Sequence, residues 1–363
     1  MASLPTLLIK GSLYLNNGLQ ITDEVPIDYI TTWVKKRMPE YGGHSATLND
    51  RILVVRAETG SGKSTVMPVK LFQILRDPKT PIKQRYKGKS LLCTQPRVFS
   101  TISIPKNIAN VYNDMVLGET IGYTTHALKN KPKAGVIFAT TGIFTVLLRM
   151  TEDLLIMERY QFIIMDEVHE RSLELDMIAM LLKNFYIRNQ GNPKLPFLVL
   201  ASATFDPLIY TKFFGISECN IFEIKGRTYS IQTHYPLSDV SNYIAQTVST
   251  VIDIHEKNLS DNPLQADILV FLPGLGEIKL ATEALLKYDK QPSFLVLNLS
   301  SHVVSSKGKD AQLVLAPVES LPLVNVMKPA RRVAISTVVA ETGITIDTLK
   351  YVIDAGWNRT QEV

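Results

Sequence analysis

Cysteine is scarce in this chain: its 363 residues include two, Cys93 and Cys219. Two thiols exclude a disulfide framework and a zinc site built from several cysteines. Because both lie beside apolar runs, we expect two buried, reduced thiols in an intracellular protein.

Long apolar segments are also missing. No uninterrupted run approaches the roughly 20 residues that a membrane span requires. The first residues, "MASLPTLLIKGSLYLNNGL", place their lysine after the apolar piece and offer no clear cleavage site, which is not the layout of a signal peptide. The sequence therefore predicts a soluble protein with no membrane partner.

A strong excess of one charge is absent too. The net charge of +5 is compatible with a polyanionic partner but does not by itself indicate one. A hydrophobic fraction of 45% and a charged fraction of 20% exclude disordered and fibrous classes. At this length the chain can bury the cores of two ordinary domains.

What the chain does contain is a series of short, continuous apolar runs. Continuous rather than alternating hydrophobicity is typical of parallel strands that are buried on both faces by helices. A helical pattern follows most runs, most clearly at 173–187. We therefore expect an α/β, doubly wound parallel sheet. The predicted strands are 51–57, 90–95, 136–141, 162–167 and 197–204.

The same alternation of apolar runs and helical patterns begins again after residue 226, which predicts a second α/β domain. We expect an N-terminal extension at 1–45 with one amphipathic helix, a first domain at 46–226 and a second at 227–363. Residues 300–330 are expected to form an insertion or long loop. The predicted elements of the second domain are helices at 242–257 and 276–288 and strands at 267–273, 294–299, 331–337 and 349–356.

The stretch "RAETGSGKST" (56–65) follows the first predicted strand and precedes a helical pattern. Backbone N–H groups in such a loop bind phosphate, its lysine reaches the β- and γ-phosphates, and its serine hydroxyl coordinates Mg²⁺. Ala57 stands where the pattern G-x-x-x-x-G-K-[ST] has its first glycine. An ordinary Gly-Ser turn is the alternative, but the strand and helix on either side favour a P-loop. The predicted ATP-binding residues here are Gly60, Ser61, Gly62, Lys63, Ser64 and Thr65.

An acid pair ends another predicted strand in "FIIMDEVHERS". In an open parallel sheet, ligands bind at the carboxyl ends of the strands, so Asp166 and Glu167 can meet the P-loop at one Mg²⁺–triphosphate. We predict Ser64, Asp166 and Glu167 as the metal site. Lys63 and Glu167 are the predicted catalytic residues, with Glu167 as the base that deprotonates water.

The acid motif and five further stretches resemble the DEAH/DExH-box branch of superfamily 2 helicases. The stretches are "TQPR" (94–97), "TTGI" (140–143), "SAT" (202–204), "VFLPGLGEI" (270–278) and "STVVAETGITIDTLKYVIDAGWNR" (336–359). Their flanks are similar to helicases of large DNA viruses, including the poxvirus RNA helicase. That similarity implies a site of action in the cytoplasm of a host cell or in a virion.

The resemblance implies two RecA-like domains, the second incomplete, that bind ATP and Mg²⁺ and act on single-stranded RNA or DNA or on a duplex with an overhang. By position, Arg97 and Thr141 contact nucleic acid. A surface ion pair is the alternative role for Arg97, and a helix N-cap is the alternative for Thr141.

Further roles follow from position in the motifs. Ser202, Thr204 and His169 are expected to couple hydrolysis to unwinding, with His169 packing or hydrogen-bonding between the domains and not binding metal. The hydroxyls of "SAT" could instead satisfy backbone groups at the strand end. In the second domain the implied nucleic-acid residues are Pro273, Gly274 and Thr337, and the implied nucleotide residues are Gly343, Thr345 and Asp347.

The family's arginine-rich motif, which supplies charge to the γ-phosphate, is not found, and we expect a fragment of a longer helicase. Arg331, Arg332 or Arg359 is the alternative source of that charge. The leading hypothesis is an ATP-dependent helicase core. The alternatives are an ATPase that remodels nucleoprotein and, for this chain alone, a nucleotide-dependent nucleic-acid binding module. Protein partners are not indicated by the sequence.

Overall fold

The computed structural model describes sixteen stretches of the chain, and the chain divides into two compact units, Met1–Ile231 and Gln232–Val363. The described residues are 12–14, 20–21, 26–38, 43, 45–57, 61–76, 88–203, 206–225, 232–236, 240–262, 266–299, 310, 313–314, 316–337, 346 and 348–357.

The described part of the first unit contains a ten-stranded sheet in the order β2-β1-β10-β3-β9-β8-β4-β7-β5-β6. The seven strands from β10 to β5 are mutually parallel, and antiparallel strands are added at both edges. All five predicted strands are present, as β3, β4, β7, β8 and β9. The strands are β1 Ser12–Tyr14, β2 Gln20–Ile21, β3 Ile52–Ala57, β4 Ser90–Gln95, β5 Ile121–Thr124, β6 Lys129–Asn130, β7 Val136–Thr140, β8 Tyr160–Met165, β9 Phe197–Ser202 and β10 Ile221–Lys225.

Helices cover both faces of this sheet, as a doubly wound fold requires. Leu53 and Val55 pack with α1, α3 and α4 in one core, whereas Ile52 and Val54 pack with α5 to α8 in the other. The alternation within one strand shows that both faces are buried. None of the described helices is long and apolar enough to cross a membrane. The helices are α1 Pro26–Arg37, α2 Leu48–Arg51, α3 Val66–Arg76, α4 Val98–Val111, α5 Thr141–Met150, α6 Asp153–Arg159, α7 Leu173–Arg188 and α8 Leu208–Phe214.

The second unit contains a smaller parallel sheet with the order β12-β13-β11-β14. Helices α9 and α10 pack on it around a core that includes Val251, Ile278 and Ile335. Each predicted element of this unit is present, and its ends lie no more than three residues from the predicted ones. The elements are α9 Tyr243–Lys257, β11 Asp267–Phe271, α10 Leu275–Leu285, β12 Leu295–Leu299, β13 Arg332–Ser336 and β14 Leu349–Asp354.

A buried arginine at the start of β13 fastens part of the predicted insertion to this sheet. The Arg332 Nε–H donates to Asp267 Oδ2 over 2.6 Å, and Nη1 donates to the carbonyls of Leu313, Val314 and Ala316 over 2.8 to 3.0 Å. A buried guanidinium is tolerated when a carboxylate and carbonyls satisfy its donors in this way. Arg332 therefore has a structural role at the N-terminal end of the strands.

The two cysteines differ in burial. Cys93 is buried in β4, where loss of solvation and the nearby Asp166 carboxylate raise the pKa of its thiol. Cys219 is exposed, so the expectation of two buried thiols was wrong for this residue. The reason is local: Cys219 lies in a short 3-10 turn, Glu218–Asn220, where its N–H donates to Ser217 Oγ, and not in the following strand.

Candidate functional site

The loop between β3 and α3 has a conformation that favours glycine at its centre. Gly62 has a φ of +86°, and a Cβ at this position would lie 2.8 Å from Val66 Cγ2. Its carbonyl accepts hydrogen bonds from the N–H groups of Val66 (2.8 Å) and Met67 (3.0 Å). The turn therefore leads directly into α3, and the described loop residues Ser61 to Thr65 lie at the N-terminus of a helix, where anions bind favourably.

Lys63 joins this loop to the acid pair after β8. The Lys63 ammonium contacts Glu167 Oε1 and lies 3.4 Å from Asp166 Oδ1, and all three side chains are buried. Burial alone would lower the pKa of Lys63, but the charges of Asp166 and Glu167 outweigh it and the pKa is raised. The lysine is therefore held as a cation.

The Asp166 carboxylate accepts three hydrogen bonds besides its contact with Lys63. Its Oδ2 accepts from Ser64 Oγ (2.5 Å) and from Gln95 Nε2 (2.7 Å), and its Oδ1 accepts from the Glu167 N–H (2.9 Å). Gln95 is not among the predicted site residues, although it belongs to the "TQPR" stretch. No sequence signal marks Gln95: it is the last residue of β4 and meets Asp166 because β4 lies beside β8.

Glu167 has an unusual backbone and a perturbed carboxyl group. Its φ of 54° lies in the left-handed region, which is uncommon for residues other than glycine. Burial and the neighbouring Asp166 charge raise the pKa of the Glu167 carboxyl, while Lys63 opposes that shift. A carboxylate with a raised pKa is a better proton acceptor near neutral pH.

His169 connects the acid pair to the end of β9. Its Nδ1 lies 3.4 Å from Glu167 Oε2 and 3.0 Å from Ser202 Oγ. The 3-10 turn that carries it, Val168–Glu170, is held by Tyr210, whose hydroxyl donates to the Val168 carbonyl over 3.1 Å. These contacts lie within the first unit and bring together His169 and Ser202, two predicted coupling residues. That His169 packs or bonds between the domains stays a prediction.

The two predicted nucleic-acid residues of the first unit follow neighbouring strands, β4 and β7. Arg97 Nη2 lies 3.4 Å from Glu170 Oε1, and the Thr141 hydroxyl donates to the Glu174 carboxylate. Neither acidic partner, Glu170 or Glu174, is among the predicted site residues. The N-cap of α5 is Thr140, so the alternative role of Thr141 as a cap does not apply.

In the second unit, Pro273 and Gly274 follow β11 and Thr337 follows β13. These strands are parallel neighbours, and the Leu272 N–H donates to the Ser336 carbonyl over 2.8 Å. The three predicted residues therefore lie at the same edge of the sheet. The predicted site residues that fall outside the described residues are Gly60, Thr204, Gly343, Thr345 and Asp347.

The oxygens of the site fit a nucleotide-bound Mg²⁺. Ser64 supplies a hydroxyl group and Asp166 a carboxylate, and the two lie side by side. In phosphate sites, Mg²⁺ takes one or two such protein ligands, and water and phosphate oxygens fill its remaining positions. Within the described ranges, no group of three or more histidine, cysteine or acidic residues could hold a metal by itself. The adjacent Ser64 hydroxyl and Asp166 carboxylate suit an ion that arrives with a triphosphate.

A glycine-lysine-serine loop facing an acid pair at the carboxyl ends of parallel strands defines a P-loop nucleotide-binding domain. Residues 44–210 match the family model described as DEAD/DEAH box helicase. The first unit therefore contains a DEAD/DEAH box helicase domain, as the motifs predict.

Relatives agree with this assignment. The chain is 43% identical to "Putative RNA Helicase B962L" of African swine fever virus, across 99% of this chain and 39% of that protein. It is 28% identical to "Putative ATP-dependent RNA helicase YLR419W" of Saccharomyces cerevisiae, across 89% of this chain and 24% of that one. The chain thus spans well under half the length of these relatives.

A solved structure supports the fold. The crystal structure of Escherichia coli DEAH/RHA helicase HrpB aligns with a TM-score of 0.64 and 24% identity, across 88% of this chain and 36% of HrpB. The predicted α/β fold, with a large, mainly parallel sheet and a second parallel sheet, is confirmed.

Proposed function

We propose that this chain is the core of an ATP-dependent helicase that hydrolyses ATP to move along single-stranded nucleic acid and to open a duplex with an overhang. The observation that carries the proposal is the cluster of Lys63, Ser64, Asp166 and Glu167 within a DEAD/DEAH box domain. The names of the relatives favour RNA as the substrate. The viral relative favours action in an infected cell, in the cytoplasm or in a virion.

In this proposal each side chain of the cluster has one task. Lys63 places a buried cation at the phosphates, where charge develops during phosphoryl transfer. Ser64 and Asp166 would hold Mg²⁺, which would neutralise charge on the phosphate oxygens, and Gln95 fixes the Asp166 carboxylate. Glu167 orients the attacking water and takes its proton.

The side-chain contacts beside the catalytic base Glu167 would couple ATP hydrolysis to the binding of nucleic acid. Ser202 lies at the end of β9 and hydrogen-bonds to His169, which in turn contacts Glu167. A shift of this end of β9 would therefore move Glu167, the catalytic base. Arg97 pairs with Glu170 on the same short turn as His169. If Arg97 binds a phosphate of the nucleic acid, it would therefore alter the turn next to the catalytic base Glu167.

The proposal is tested by measuring ATP turnover without nucleic acid, with single-stranded RNA and with single-stranded DNA, followed by unwinding of a duplex with an overhang. Marked stimulation together with unwinding is the expected result. Stimulation without unwinding would favour a nucleoprotein-remodelling ATPase instead. ATP-dependent RNA binding without turnover would favour a nucleotide-dependent binding module.

Arg97→Ala is expected to weaken binding to single strands about equally for all sequences, because a phosphate contact carries no base information. The slope of log affinity against log salt should become shallower by roughly one unit, the effect of one phosphate contact. Fluorescence titration over a range of salt concentrations measures it. Arg188→Ala is the matched control. Arg188 forms an ion pair with Asp153 at the start of α6 and not at the carboxyl ends of the strands. Equal slopes for both variants would leave Arg97 as an ordinary ion-pair residue.

A further inference from the structure

Helix α1 precedes the residues that match the helicase domain, yet it packs in the same core. Ile27, Ile30 and Val34 follow a spacing of three and four residues, which places them on one helix face, and their exposed fractions are 1%, 0% and 0%. The core that they join includes Leu53 and Val55 of β3, the strand that leads into the P-loop. The first unit thus includes α1 as a packed element.

The first turn of α1 lies directly against the P-loop. A Cβ built on Gly62 would meet Val66 Cγ2 at 2.8 Å and Ile27 Cδ1 at 3.5 Å, so these two side chains enclose the glycine. Val66 belongs to α3, and its N–H donates to the Gly62 carbonyl. The turn that carries Lys63 is therefore packed between the beginnings of α3 and α1.

Contacts in the first turn and in the second half of α1 hold the helix in this position. Near its start, Asp28 Oδ1 lies 3.3 Å from Lys70 Nζ of α3. Further along, the Trp33 ring packs edge-on against Phe197 and Phe222, with centroid distances of 6.3 and 6.2 Å. Aromatic edge contacts of this kind stabilise beyond the area that they bury. Ile27 is therefore presented to Gly62 by a fixed helix.

We infer that Ile27 is a positioning residue that holds the P-loop in its phosphate-binding shape, so that the nucleotide site extends to a helix outside the matched domain. The inference rests on the proposed function, in which Lys63 binds ATP phosphates. Removal of the Ile27 side chain opens space beside Gly62, and the loop then occupies its binding shape for only part of the time. Affinity falls by that fraction: if the binding shape is populated about one time in ten, the Kd for ATP rises about tenfold.

The first test compares Ile27→Ala with Ile30→Ala by equilibrium titration with Mg²⁺–ATP. Both variants lose the same atoms from the same buried helix face, and both should lower the free energy of unfolding. We expect the Kd to rise about tenfold for Ile27→Ala, to stay within about twofold of wild type for Ile30→Ala, and to be restored by Ile27→Leu. Equal Kd values for the two alanine variants would overturn the inference.

The second test uses no nucleotide. Hydrogen exchange of the Thr65, Val66 and Met67 amides, which donate to the Gly62 carbonyl, reports opening of the loop. Exchange should be faster in Ile27→Ala and unchanged in Ile30→Ala, and identical exchange would overturn the inference. If Ile27→Ala does not fold, Ile27→Val removes Cδ1 alone, with Ile30→Val as its control.

The two tests also separate this inference from the proposed function. A wild-type chain without measurable affinity for Mg²⁺–ATP would contradict the proposed function. The exchange comparison would then still decide whether Ile27 holds the loop.

Discussion

Lys63→Ala is expected to lower nucleic-acid-stimulated ATP turnover by at least about 10²- to 10³-fold, the usual cost of removing one preorganised donor from a reaction centre. Lys63 is the buried cation that contacts both acids, and alanine leaves no positive charge at that point. Affinity for ATP should fall as well, since a hydrogen bond to a charged group contributes about 1.5–3 kcal/mol. Steady-state turnover and nucleotide titration measure the two effects.

The variant also leaves two carboxylates buried without their cation, so its folding must be checked. Loss of one partner from a buried ion pair destabilises by about 3–5 kcal/mol, and thermal unfolding will show whether the variant is folded at the assay temperature. Lys194→Ala, which removes an exposed lysine paired with Glu158, is the control and should keep wild-type turnover. Near wild-type turnover by folded Lys63→Ala would contradict the P-loop assignment.

The central strands could be predicted from the sequence because burial on both faces leaves short, continuous apolar runs that turn residues bound on either side. "SLLCTQ" and "FLVLAS" are apolar or small at nearly every position, and β4 and β9 are buried along their whole length. The strands that the sequence analysis missed are short or lie towards an edge, such as β6 with two exposed residues. Such strands are defined by their partner and not by their own hydrophobic pattern.

The candidate site was predictable where a motif fixes residue type and spacing, as for Lys63 and the acid pair. Gln95, Glu170 and Glu174 could not be found in this way. Gln95 meets Asp166 because β4 lies beside β8, although some 60 residues separate the two strands in the chain. Strand order of this kind is a property of the fold, and residues that depend on it are seen only in three dimensions.

Two of the arginines considered as alternative sources of charge at the γ-phosphate are structural. Arg331 donates to the Ala266 carbonyl over 3.1 Å, and Arg332 is engaged with Asp267 at the beginning of β13. Thr337, a predicted nucleic-acid residue, follows the opposite end of that strand. Arg331 and Arg332 are thus buried at the beginning of β13, away from the strand end that Thr337 follows. Arg359 lies outside the described residues.

Glu167→Gln is expected to keep binding of ATP and Mg²⁺ but to slow hydrolysis by about 10²- to 10⁴-fold, the usual contribution of a general base. The amide has nearly the same shape as the carboxylate and can still accept a hydrogen bond from Lys63, so the site should stay intact. It cannot take a proton from water. Single-turnover hydrolysis of bound ATP separates the chemical step from binding, and Glu158→Gln, an exposed acid paired with Lys194, is the matched control.

The pH dependence gives this prediction a second, independent test. A base acts only when deprotonated, so hydrolysis should be lost as the pH falls through the pKa of Glu167. Because burial and Asp166 raise that pKa, the acid limb of the rate profile should lie above the usual range of a glutamate, and it should vanish from the residual rate of Glu167→Gln. If the variant instead lost Mg²⁺ binding while each bound ATP was hydrolysed at the normal rate, Glu167 would be a metal ligand and the proton would go elsewhere.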